Sequence, residues 1–168
     1  TIEGVPAFIH GGPFANIAHG TNSLIATKMA LKISDYVVTE AGFGSELGAE
    51  KFFNIVCRTG GLKPDAVVML VSIRGLKRNG QGEDLDAVKK GLLNLEKHLE
   101  NISLFGVPVV VAINHFLDDK EEELNIVEDY CNSKNIPVAV ADIWSEGGEG
   151  GVELAGKLVS LMHNNPSD

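Results

Sequence analysis

The sequence predicts an α/β protein with a mostly parallel sheet and helices on both faces. Three observations carry that prediction. Ala66–Ile73 and Val109–Ile113 are near-continuous apolar runs, as in strands buried on both faces. Leu85, Val88, Leu92, Leu95, Leu99 and Ile102 recur at steps of three and four, which puts them on one helical face. Strand-like and helix-like segments alternate along the chain, as in a sheet built from right-handed crossovers.

Taken in order, Ala7–His10 is a short apolar strand. Ser23–Ile33 follows as a helix carrying Leu24, Ile25, Leu31 and Ile33. Tyr36–Thr39 is the second strand, and Leu47–Val56 a helix with Gly48 near its start and Gly60-Gly61 beyond its end. Ala66–Ile73 is the third strand, and a glycine- and cation-rich joint leads from it to the Leu85–Ile102 helix. Gly106-Val107-Pro108 stops that helix before the Val109–Ile113 strand. Asp118 or Asp119 suits the cap of the next helix, whose first-turn Glu121–Glu123 complements the dipole. Pro137–Ala141 is the fifth strand and Gly151–Met162 the last helix. Residues 1–168 therefore read as one α/β domain, with no internal repeat or low-complexity segment.

Composition narrows the function. A net charge of −9 argues against nucleic acid, whose phosphates demand clustered Lys and Arg. No apolar run is long enough to span a bilayer, and no signal peptide is recognisable, so neither membrane nor secretion is expected. Cys57 and Cys131 lie far apart without a metal-ligand spacing, which fits a reducing cytoplasm. The chain opens on Thr1 rather than Met, which suggests a piece of something longer.

In a sheet of this kind, ligands bind at the carboxyl ends of the strands. The first such joint, His10–Asn22, holds His10, Gly11, Gly12, Asn16, His19 and Asn22. Its histidines suit acid–base work or an anionic ligand, although a structural role serves a histidine equally well. The second, Thr39–Gly48, places Glu40 at a strand tip, where a carboxylate can hold Mg²⁺ or its water shell. Gly42 and Gly44 beside it free backbone N–H groups to face an anion. The third, Ser72–Gly80, gathers Arg74, Lys77 and Arg78 at the end of a buried strand in an otherwise acidic chain. Arg grips a carboxylate or phosphate through paired hydrogen bonds, and the bland alternative is solvated loop charge. The fourth, Asn114-His115-Phe116, sets an amide beside an aromatic ring, and the fifth, Trp144–Gly151, is a glycine loop entering a helix.

Several classes fail on motif. The Gly42, Gly44, Gly48 spacing is one residue too long for a dinucleotide fingerprint, and the expected acidic partner is missing. Ser45 lacks the flanking of a nucleophile elbow. No Gly-x-x-x-x-Gly-Lys-[Ser/Thr] phosphate loop occurs.

Together the joints resemble formate–tetrahydrofolate ligase, along nearly the whole chain and in order. The resemblance rests on His10–Asn22, Tyr36–Phe53 (YVVTEAGFGSELGAEKFF), Ile73–Gly80 (IRGLKRNG), Asn94–Ile102, Val109–Phe116 and Trp144–Gly151. It implies a P-loop NTPase-like fold and an MgATP-dependent ligation of formate to tetrahydrofolate through formyl phosphate. It also implies a cytoplasmic homotetramer aided by monovalent cations, built on a chain much longer than this one. The phosphate loop then lies upstream and much of the folate-binding region downstream, so the 168 residues alone are not expected to turn over ATP.

Position by position, the resemblance puts Glu40 near the metal, with Gly42 and Gly44 shaping that wall. Arg74 and Lys77 fall in a signature loop ending Arg-x-Leu-Lys, as neutralising groups for anionic substrate or phosphate. Asn114, Ser145, Gly147 and Gly148 match positions that hold adenine in related nucleotide folds. His10 and His19, with Gly11, Gly12, Asn16 and Asn22, line the reaction pocket. The chain departs from the signature at Gly75, where alanine is expected, and at Gln81, where glycine is. The loop before Leu85 is also short. Two other readings stay open: a non-catalytic α/β binding or assembly module, and another ATP-dependent ligase on the same scaffold.

Overall fold

Three parallel strands, β1 (Val67–Val71), β2 (Val109–Asn114) and β3 (Val138–Ala141), form a sheet in the order β1-β2-β3. A computed structural model of the chain describes residues 1–9 and 18–164. Pairing is in simple register: Met69 lies opposite Val111, and Val111 opposite Val138. Val110, Val111, Ala112 and Ile113 on β2 are all completely buried. Successive side chains of a strand point to opposite faces, so β2 is covered on both. Burying each Val or Ile there contributes about 1.5–3 kcal/mol. The burial on both faces expected of Ala66–Ile73 does not hold for β1: on this edge strand only Met69 is buried, while Val68 and Leu70 on the other face are left exposed, with no element among the described residues of the second unit covering them.

The chain divides into two compact units, Thr1–Lys63 and Pro64–Asp168. The first holds α1 (Leu24–Ala30), whose start is capped by Ser23 Oγ accepting from Ala26 N at 3.1 Å. It also holds α2 (Gly48–Lys51), continued by a π-helical segment, Phe52–Cys57, and by α3 (Arg58–Gly60). Gly61 ends this run in the left-handed conformation glycine adopts without strain. The expected strands at Ala7–His10 and Tyr36–Thr39 are not formed among the described residues, so the sheet has three strands rather than five. Val38 and Ile9 are exposed. A β-branched run nominates a strand, but only a paired neighbour makes one.

The second unit carries the sheet and the helices α4 (Ile73–Gly80), α5 (Leu85–Ser103), α6 (Glu121–Ser133), α7 (Ile143–Glu146) and α8 (Val152–Asn164). A single 3₁₀ turn, Glu149–Gly151, leads into α8. Helices α5 and α6 pack on each other, and α8 packs across β2 and β3. The largest correction is α4, which the sequence reading treats as a loop. Gly75, Asn79 and Gly80 are poor helix formers. Ser72 Oγ caps the start by accepting from Gly75 N at 3.2 Å, and Ile73 and Leu76 are buried one turn apart. Lys77 and Arg78 complement the last turn, and Gln81 closes it at φ 59°. Tertiary burial overrides propensity here.

Neither aspartate caps α6. Its N-cap is Lys120, whose backbone N–H donates to Glu123 Oε2 at 3.1 Å. Cys57 and Cys131 are both free and buried, and burial pushes the Cys131 thiol up to about 11. The thiolate is the reactive form. Cys131 should therefore resist iodoacetamide at pH 8 in the folded protein and react once urea is added, as peptide mass mapping would record. Equal labelling with and without urea would contradict its burial. Among the described residues no helix is long and apolar enough to cross a membrane.

Candidate functional site

The carboxyl ends of β1, β2 and β3 bring the third, fourth and fifth joints together within the second unit. Arg74 stands in the first turn of α4, just beyond β1. Its Nη2 donates to Asp118 Oδ1 at 2.6 Å, and its guanidinium carbon lies 4.6 Å from the centroid of the Phe116 ring. Cation–π stacking of this kind adds about 0.5–1 kcal/mol at an exposed site. Both charged partners are largely exposed, so the ion pair itself is weak. The Arg74 hydrogen bond nonetheless holds the Asp118 carboxyl below the usual carboxylate range. One of five guanidinium donors is used on Asp118, and the fork can still meet an anionic oxygen.

Phe116 is held by a reciprocal turn. Its N–H donates to Asp119 Oδ2 and its carbonyl accepts from Asp119 N, both at 2.9 Å. The Asp119 side chain therefore orients the aromatic ring's backbone instead of capping α6.

One strand further, Asp142 follows β3 and bridges two loops. Its Oδ2 lies 3.2 Å from His115 Nδ1, and its Oδ1 accepts from Ser145 Oγ. The Ser145 hydrogen bond, aided by His115, lowers the Asp142 carboxyl below its ordinary value. Backbone bonds reinforce the bridge: His115 N donates to Ala141 O at 3.2 Å, and Asp142 N to Gly150 O at 3.1 Å. Gly147 turns at φ 60°, ψ −138°, a conformation open to glycine alone. Because aspartate, not histidine, occupies the middle of this trio, Ser145 is not activated as a nucleophile.

Lys77, expected from the sequence to neutralise an anionic substrate or phosphate, instead meets a carboxylate of the chain itself. Its Nζ sits 2.7 Å from Glu123 Oε1, with the lysine side chain 15% and the glutamate 1% exposed. The Glu123 hydrogen bond holds the Lys77 ammonium above the ordinary lysine range. For Glu123, burial opposes the charge, but Lys77 and the Lys120 N–H outweigh it and keep the carboxyl low. The sequence reading counted Glu123 only as a dipole-complementing residue. Its spacing from Val127 and Cys131, both completely buried, is the signal that marks the inner face of α6.

The remaining expected site residues belong to the first unit. His10, Gly11, Gly12 and Asn16 lie outside the described residues. His19 and Asn22 are exposed, before α1. Glu40 is exposed just after Thr39, whose Oγ1 meets the buried Thr21 Oγ1 at 2.8 Å. Gly42 is buried, and its carbonyl would lie 2.0 Å from a Cβ at Gly48. Gly44 O accepts from Leu47 N and Gly48 N, closing a tight turn into α2.

A model of the formate–tetrahydrofolate ligase family matches residues 1–168. The chain belongs to the formate–tetrahydrofolate ligase family. Membership places it with ligases of formate and tetrahydrofolate, and with an α/β fold. The family's ligation uses ATP, yet among the described residues no three His, Cys, Asp or Glu side chains cluster to hold a metal ion.

Proposed function

We propose that the chain serves the ATP-dependent ligation of formate to tetrahydrofolate, and that Arg74 neutralises an anionic oxygen of the reacting groups. Formate oxygen attacks the terminal phosphorus of ATP and ADP leaves, giving formyl phosphate. The folate N10 amine then attacks the formyl carbon, phosphate departs, and the amine loses a proton. Such chemistry asks the protein for positioning and charge stabilisation, not for a covalent nucleophile.

The observation that carries this reading is the Arg74 guanidinium, stacked on Phe116 and tethered to Asp118 at the strand ends. A cation with a restricted set of orientations loses little freedom when an anion arrives. Asn114, at the end of β2, and Ser145, Gly147 and Gly148, after β3, offer the amide, hydroxyl and backbone groups for a purine edge. Lys77 contributes by tying α4 to the start of α6 through Glu123 rather than by meeting the anion itself.

Arg74→Ala in the intact enzyme is expected to slow formyl transfer at least tenfold, about 1.4 kcal/mol. Arg74→Lys should recover only part of the rate, because a lysine offers neither the fork nor the stacking plane. Steady-state kinetics with formate, ATP and tetrahydrofolate read this directly. Unchanged kinetics for Arg74→Ala would remove Arg74 from the reaction.

A further inference from the structure

We propose that Glu123 is a positioning residue for Arg74, setting the height of its guanidinium over Phe116 by holding Lys77 from beneath. The inference rests on the reading of Arg74 given above. Glu123 uses its two oxygens on two different elements. Oε1 takes the Lys77 ammonium of α4 at 2.7 Å, and Oε2 takes the Lys120 N–H at the start of α6 at 3.1 Å. Lys77 lies one turn after Arg74, so the two side chains leave the same side of α4. Lys120 directly follows the Phe116–Asp119 turn that carries the ring and the tethering carboxylate. One buried carboxylate therefore ties the helix bearing the cation to the turn bearing its two partners.

The exposed contacts cannot do this alone. Arg74 and Asp118 are 60% and 65% exposed, and a pair in water is held weakly. Nor is Glu123 needed to hold α4 in the fold. That helix is clamped against α5, where a Cβ on Gly91 would lie 2.2 Å from Leu76 O and one on Gly80 1.9 Å from Ala87 O. Loss of the Glu123 link leaves α4 clamped to α5 and removes its direct tie to the start of α6.

The test is a cycle in the intact enzyme, with wild type, Glu123→Gln, Arg74→Ala and the double variant. Glu123→Gln keeps the shape and an acceptor for Lys120 N–H but removes the charge that holds Lys77. It is expected to lower kcat/KM about fivefold when Arg74 is present and to cause no further loss when Arg74 is alanine. The paired variant Lys77→Met with Glu123→Met, which removes the link without stranding either partner, should repeat that pattern if Glu123→Gln folds poorly. Circular dichroism verifies a native fold in each variant. An equal loss in both Arg74 backgrounds, or no loss in either, overturns the positioning role while leaving Arg74 in place. Wild-type rates in Arg74→Ala overturn the Arg74 reading itself, and the positioning role with it.

Discussion

Gly91→Val is expected to destabilise the second unit by about 3 kcal/mol or more, the upper end for overpacking a tight contact. Helices α4 and α5 form an antiparallel pair in which Gly91 faces Leu76 and Gly80 faces Ala87. A Cβ at Gly91 would lie 2.2 Å from Leu76 O, 2.7 Å from its carbonyl carbon and 2.8 Å from its Cα. Those are backbone atoms, so no side-chain rotation relieves the clash and the helices must separate. Separation uncovers Ile73, Leu76, Ala87 and Val88, all now buried. The better helix propensity of the new residue, worth under about 1 kcal/mol, does not offset this. Gly156→Ala in α8 is the control, since nothing lies within 4 Å of its added carbon. It should be neutral or stabilising by up to about 1 kcal/mol. Urea midpoints of the two variants decide the matter, and similar values for both would sink the close-packing account.

Lys77→Ala is expected to cost about 3 kcal/mol at neutral pH, because it strands the carboxylate of Glu123, which is 1% exposed. Removing one partner of a buried pair is more damaging than replacing both, so Lys77→Met with Glu123→Met should recover much of the loss. The effect depends on pH with a definite sign. Glu123 is held below its ordinary range in the folded state, where burial is outweighed by Lys77 and the Lys120 N–H. Its contribution is thus complete above the unfolded value of about 4.3 and fades as pH falls through the folded value. Lys77 is held above its ordinary range by the Glu123 hydrogen bond. Its contribution is complete below about 10.4 and fades as pH rises through the folded value. The stability gap between wild type and Lys77→Ala should accordingly be widest between those limits and shrink progressively on the acid side. Denaturant titrations at pH 7 and at descending acid pH measure it. A gap that stays constant into acid would mean that the pair adds no charge-dependent stability.

The candidate site is partly legible in the sequence. Arg74 stands out because cations at the end of an apolar strand are conspicuous in a chain of net charge −9. Asn114 and Phe116 stand out because a Val/Ile strand ends on them. Asp118, Asp119 and Asp142 do not, since acids after a strand read equally well as caps, turns or solvated charge. Their roles come from pairing with Arg74, the Phe116 N–H and His115, and none of these pairings leaves a mark in local spacing. Lys77 illustrates the limit most clearly. Sequence presents it as one more loop cation beside Arg74, and only the approach of α6 makes it half of a buried pair.

The sequence by itself determined the α/β class, the positions of the strands β1, β2 and β3, the amphipathic α5 and the family. Those features depend on local periodicity and on motifs read within short windows, where the chain's own pattern is sufficient. Tertiary structure alone decided that Ile73–Gly80 is a helix and that the sheet of the described residues has three strands. It alone decided that Glu123 is the buried anchor among three neighbouring glutamates. A strand needs a paired edge, a glycine-poisoned helix needs a buried face, and a charge is buried only where its partner reaches it. Each of those conditions is met by residues far away in the chain.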